Sequence, residues 1–157
     1  MKRIAAVILI STLSVSALVA PVAQASTPLI CLAYDTGGPG DSSFNDAAQA
    51  GLKVAAKNLE FTLETTVTSG DAKDRIDRLT SLVKKDCTIV IAVGTGYAAT
   101  LKELSQQYPE TQFAILNDAT VDALNVTSIV FADIQGAYLA GFAAALASKT
   151  GKVAMVG

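Results

Sequence analysis

Two carboxylates and an aromatic ring stand close together in the run Asp35-Thr36-Gly37-Gly38-Pro39-Gly40-Asp41-Ser42-Ser43-Phe44-Asn45. Ionised Asp35 and Asp41 only accept hydrogen bonds, which suits ring N–H groups or sugar hydroxyls. Phe44 can offer its face to a planar ligand. It is also the first apolar residue of the helix that follows, so packing into the core is an equal reading. The glycines let backbone approach a bound molecule and take positive φ. Together these residues describe capture of a flat, hydroxyl-bearing small molecule.

The same run excludes other chemistry. It lacks the Gly-Lys-Ser/Thr ending of a phosphate loop, and its glycines do not fit dinucleotide spacing. Two carboxylates beside a helix start would repel a phosphate that the helix dipole attracts. No cofactor is expected. The chain has no His and no Trp, and without His most acid–base, metal and triad chemistry loses its usual actor.

Alternating strands and helices must position these residues. Leu29 to Tyr34 reads as an apolar strand feeding the turn. Phe44 to Asn58 reads as a helix, with Ser43 and Asp46 at capping-box spacing. Phe61 to Thr68 is β-branched and alternating. Asp71 to Lys84 is a helix capped by Asp71, with Ile76, Leu79, Leu82 and Val83 as its apolar stripe. Thr88 to Val93 is a strand covered on both faces. A helix over Tyr97 to Tyr108 ends at Pro109. Thr111 to Leu116 and Val126 to Ala132 are strands, and Gln135 to Ser148 is an Ala-rich helix. Lys152 to Val156 reads as a buried strand. It either extends the sheet edge or, the favoured reading, starts a second sheet. The fold class is α/β with right-handed crossovers and a parallel sheet.

In such a sheet, ligands bind beyond the carboxyl ends of the strands. Every turn on that edge carries unusual residues: Asp35 to Asn45, then Gly94, Thr95, Gly96 and Tyr97, then Asn117 and Asp118. Any one such turn could hold Gly, Ser and Asp merely to turn and cap. Three together argue for a binding edge.

Lys2 and Arg3, the apolar Ile4 to Ala20 and Ala23-Gln24-Ala25 follow the pattern of a cleaved secretory signal, residues 1–25. A membrane anchor is the competing reading, but the apolar stretch is short for a span. Without Lys2 and Arg3, 10 basic residues face 14 acidic ones, and no basic run suggests nucleic acid as a partner. Cys31 and Cys87 would both lie at the amino-terminal edge of a 2-1-3-4 sheet. Export permits a disulfide between them; two buried thiols are the alternative. Cys31 follows Ile30 inside the first strand, so a lipid anchor is not expected there. Asn125-Val126-Thr127 fits a glycosylation acceptor, relevant only to eukaryotic export.

The motif Asp35-x-Gly37-Gly38-x-x-Asp41-x-Ser43-Phe44-Asn45, with Ala48 and Gly51-Leu52, resembles the opening of the basic membrane protein (BMP) family. These are purine-nucleoside-receptor-like substrate-binding proteins of ABC transporters. Gly94-x-Gly96-Tyr97, Tyr108-Pro109-x-Thr111-x-Phe113-Ala114-Ile115-x-x-Asp118 and Gln135-Gly136-Ala137-Tyr138-Leu139-Ala140-Gly141 resemble its later motifs. The resemblance covers nearly all of residues 26–157.

The resemblance implies a type I periplasmic-binding-protein lobe, sheet order 2-1-3-4-5, over 26–132. A second lobe is only begun at 133–157. It implies that Phe44 stacks on a base and that Asp35 and Asn45 bond the base edge or order the turn. Asp118 would hold ribose hydroxyls, and Gly94 to Tyr97 would line the sugar side. Asp41 and Ser43 complete the site. The partners implied are a nucleoside-like solute and a membrane permease of an ABC transporter, at an extracytoplasmic location. Departures from the family are the early stop and the missing lipidation cysteine.

Two function classes follow. One is a non-catalytic solute-binding protein. The other is a secreted α/β hydrolase acting on nucleosides or sugars through Asp35 and Asp41 as an acid–base pair. A receptor's sensing module would need a fused signalling domain, which this sequence lacks.

Overall fold

A computed structural model describes residues 26–155. The expected signal segment lies outside them. Five parallel strands form one sheet in the order β2-β1-β3-β4-β5: β1 Leu29–Tyr34, β2 Thr62–Val67, β3 Ile89–Val93, β4 Gln112–Leu116 and β5 Val126–Ile129. Four helices connect and follow them: α1 Phe44–Ala55, α2 Ala72–Val83, α3 Ala98–Gln107 and α4 Asp133–Ala147. A single 3₁₀ turn, Thr95–Tyr97, leads into α3.

Strand alternation divides the core. Cys31 and Ala33 of β1, Val90 and Ala92 of β3, and Phe113 and Ile115 of β4 face α2 and α3, against Leu79, Leu82, Leu101 and Leu104. Leu32, Tyr34 and Val93 face the other way, toward Ala48 and Leu52 of α1. Each fully buried leucine contributes roughly 1.5–3 kcal/mol. The α1 side is only partly covered. Ile91, Leu116 and Ile129 line an apolar groove of about 360 Å³ beside α1, with Phe44 and Phe131 among its lining residues.

Local chemistry sets the element ends. The Asp71 carboxylate caps α2 by accepting from the Lys73 and Asp74 N–H groups, as expected. Helix α1 stops at Ala55, short of Asn58, where the Lys57 and Asn58 N–H groups turn back to Val54 and Ala55. The strand expected at Lys152 to Val156 is not formed over Lys152–Met155. A parallel strand needs a neighbour, and the sheet's five paired strands do not include this segment. Asn125, read as a glycosylation acceptor, is buried, and its Nδ2 donates to the Ser105, Tyr108 and Thr111 carbonyls. That amide ties α3 to β4. No residue of α4 is buried, and among the described residues no helix is long and apolar enough to cross a membrane.

Cys31 and Cys87 form a disulfide with Cα atoms 5.9 Å apart. It closes a loop of 56 residues, a constraint that stabilises by about 4 kcal/mol in the chain-entropy model.

Candidate functional site

The chain leaves β1 toward β2 on one side and later places β3 on the other. The carboxyl ends of β1 and β3 therefore form a topological switch point, where the turns splay apart and leave a crevice. Asp35 follows β1 and Gly94 follows β3.

Asn45 builds the first turn. It is 1% exposed, and its Oδ1 accepts from the Asp35 N–H at 2.9 Å while its Nδ2 reaches the Asp35 and Thr36 carbonyls, each at 3.4 Å. Of the two roles left open for Asn45, ordering the turn is the one this geometry supplies. With the backbone fixed, Asp35 keeps its side chain 31% exposed at the edge. Its Oδ1 accepts from the Thr36 N–H and from Arg75 Nη2, both at 2.8 Å.

The second carboxylate is used differently. Asp41 Oδ1 accepts from the Ser43 and Asp46 N–H groups, and Oδ2 from the Asn45 N–H. Desolvation acts to raise its pKa, but those backbone donors outweigh it and hold the carboxyl below its ordinary value. Asp41 thus caps α1, and the expected capping box is altered. The Ser43 side chain makes no cap bond, and Asp46 reaches back to the Gly40 and Ser42 N–H groups. Asp41 is a support of the loop, tied to three backbone donors rather than poised as an acid or base beside Asp35.

Phe44 is 42% exposed, so it is not a core residue. Its ring lies 6.3 Å from that of Phe131, tilted by 39°, and Phe131 is itself 53% exposed. The sequence reading placed Phe131 within the fifth strand; it actually follows β5 and adds a second exposed ring.

The turn after β3 is a correction for Tyr97. Its ring is fully buried and its hydroxyl donates to the Tyr34 carbonyl at 2.9 Å. Burial pushes the phenol up to about 12, with the Arg75 charge pulling the other way. Tyr97 anchors the turn from below and offers no face to a ligand. Gly94 and Thr95 remain at the edge. Gly94 has φ +95°, and a Cβ there would sit 2.8 Å from Asp35 Oδ2, so only glycine keeps that oxygen clear. After β4, Asn117 has φ +65°, and Asp118 Oδ1 accepts from the Thr120 N–H and hydroxyl.

Arg75 was missed as a site residue. It is 9% exposed, and its guanidinium carbon lies 4.7 Å from the Tyr97 ring centroid. The signal was present: residue 75 shares the phase of Leu79 and Leu82 on α2, so a helix stripe places it on the buried face.

These residues offer an open carboxylate, exposed aromatic faces and close backbone. Comparison with known proteins shows the family. Residues 31–157 match the family model described as ABC transporter substrate-binding protein PnrA-like. The CD4+ T-cell-stimulating antigen of Listeria monocytogenes is 36% identical over 132 residues, covering 82% of this chain and 37% of that protein. The ABC transporter nucleoside-binding protein BmpA of Lactococcus lactis is 32% identical over 126 residues, covering 78% and 36%. The crystal structure of an ABC transporter solute-binding protein from Aeropyrum pernix superposes with a TM-score of 0.70 at 28% identity, covering 75% of this chain and 32% of that one. The chain thus spans just over a third of the length of the curated relatives it matches. With the switch-point site and these matches in hand, the chain belongs to the PnrA-like family of ABC transporter substrate-binding proteins.

Proposed function

We propose that this chain supplies one wall of an extracytoplasmic nucleoside-binding site and passes its ligand, unchanged, to a membrane permease of an ABC transporter. The observation that carries the reading is Asp35, a partly exposed carboxylate at the switch point, with the Phe44 and Phe131 rings exposed on the same lobe. A carboxylate accepts from a base N–H or a ribose hydroxyl, and an exposed ring stacks on a base. The name of the Lactococcus relative points to the same ligand class.

In this reading residues 26–132 form the first lobe and 133–157 begin the second. Asp35 accepts from the base edge, Phe44 stacks on it, and Gly94 and Thr95 flank the sugar. Asp118, whose Oδ1 already braces its own turn, offers its other oxygen to ribose hydroxyls. Calorimetric titration with inosine, against free ribose and a free amino acid, tests the assignment. Saturable binding of inosine alone supports it, and recovery of intact inosine afterwards separates binding from hydrolysis. Absence of inosine binding, or release of free base, would reject it.

A further inference from the structure

We propose that Arg75 is the positioning residue of this site. By holding Asp35 Oδ1 it leaves Oδ2 as the single carboxylate acceptor facing the ligand, and so sets which hydrogen-bond donor the site selects. The proposal rests on the nucleoside-binding reading above.

Three contacts fix the guanidinium. Nη2 pairs with Asp35 Oδ1 at 2.8 Å. The Tyr97 ring packs against it at 4.7 Å, and that ring is itself held by the hydroxyl bond to Tyr34. Gly96 crosses so closely that a Cβ there would lie 2.7 Å from the guanidinium carbon. One buried cation therefore joins α2 to the turns after β1 and β3. Oδ1 is occupied by Arg75 and the Thr36 N–H. Oδ2 makes no hydrogen bond among the described residues, and it lies 2.8 Å from where a Cβ on Gly94 would stand, a place that only glycine leaves to it.

Stability alone accounts poorly for this arrangement. Arg75 Nη1 is buried with no acceptor among the described residues, and an unmet buried donor is unfavourable. Replacing a buried ion pair by apolar groups is often neutral or stabilising. A charged pair retained at the ligand edge, with one arm unmet, fits a demand for placing Asp35. Arginine meets that demand because its planar fork stacks on a ring and bonds a carboxylate at once.

The test uses the full-length protein with Arg75→Gln and Arg75→Lys, each first checked for folding by circular dichroism and thermal unfolding. Binding is measured for inosine and for 1-methylinosine, which lacks the ring N–H donor. The parent should prefer inosine. Arg75→Gln should lose about tenfold in inosine affinity and most of that preference, the scale of one charge-assisted hydrogen bond. Arg75→Lys, which keeps a cation, should recover much of both. A folded Arg75→Gln protein with the parent's affinity and preference overturns the proposal. If Arg75→Gln does not fold, Gly96→Ala displaces the guanidinium without removing it, and the same readings apply. If the parent binds no inosine, the nucleoside reading fails separately. Additive Tm losses in a ligand-free cycle of Asp35→Asn with Arg75→Gln would also overturn the proposal, since Arg75 would then not hold Asp35.

Discussion

The side-chain amide of Asn45 bonds the backbone of Asp35 from both directions, accepting from its N–H at 2.9 Å and donating to its carbonyl at 3.4 Å. A residue on the first turn of α1 thus closes the turn that leaves β1, before any ligand arrives. The carboxylate at the switch point is held by backbone that a helix has already fixed, so little ordering is left for binding to supply.

Asn45→Ala removes this closure and orphans the Asp35 N–H, whereas the Asp35 carbonyl keeps the Gly38 N–H at 3.1 Å. The expected loss is about 1–3 kcal/mol of stability for the orphaned N–H, read by urea unfolding, together with weakened inosine binding. Unchanged stability would show that water replaces the amide.

Phe44→Ala should separate the two readings of that ring. A 42% exposed side chain contributes little to the core. Stacking on a base contributes about 1–3 kcal/mol by alanine substitution. Inosine affinity should therefore fall by about fivefold to a hundredfold with a small change in Tm. Parent-like affinity removes the stacking role.

Much of this architecture was legible in the residues, and the reasons are local. Leu29–Tyr34 and Ile89–Val93 are apolar runs closed by Gly-rich turns, and the structure forms them as strands at the expected places. The turn residues were legible as a group, but their individual tasks were not. Asp35 and Asp41 have the same chemistry in a sequence; only the curl of backbone around Asp41 makes it a cap. Tyr97 follows Gly-x-Gly like an exposed tip, yet its ring is buried because its hydroxyl finds the Tyr34 carbonyl across the sheet edge. Arg75 was hidden by the expectation that charge stays outside, although its helix phase pointed inward. Lys152–Met155 carries a strand's composition without a strand's neighbour, and pairing is decided by tertiary structure.

Gly94→Ala should be costly on two grounds. The position has φ +95°, and the added Cβ would meet Asp35 Oδ2 at 2.8 Å. A loss of about 1 kcal/mol or more is expected from the backbone alone, by chemical denaturation, with inosine binding reduced further by displacement of Asp35. A folded variant with parent stability would contradict the close approach.

Asp74 predicts a pH dependence. The Ser69 N–H and the Thr68 hydroxyl, assisted by Arg78, lower its pKa from 3.8 to about 2. A depressed folded pKa adds stability above the unfolded value and loses it as pH falls through the folded one. Asp74→Asn should be less stable than the parent at neutral pH, and the gap should close between 3.8 and about 2. Tm measured across that range checks it; a gap independent of pH would contradict the ionic origin.

The central claim is that a nucleoside binds at the carboxyl edge of the sheet. It is tested most directly by titrating inosine into isotopically labelled protein and following backbone amide signals by NMR. The account predicts saturable shifts at Thr36, Phe44, Gly94, Thr95 and Asp118, with Leu29, Cys31 and Cys87 at the opposite edge unmoved. Shifts confined to Ile91, Leu116 and Ile129 in the apolar groove, or no shifts at all, would contradict it.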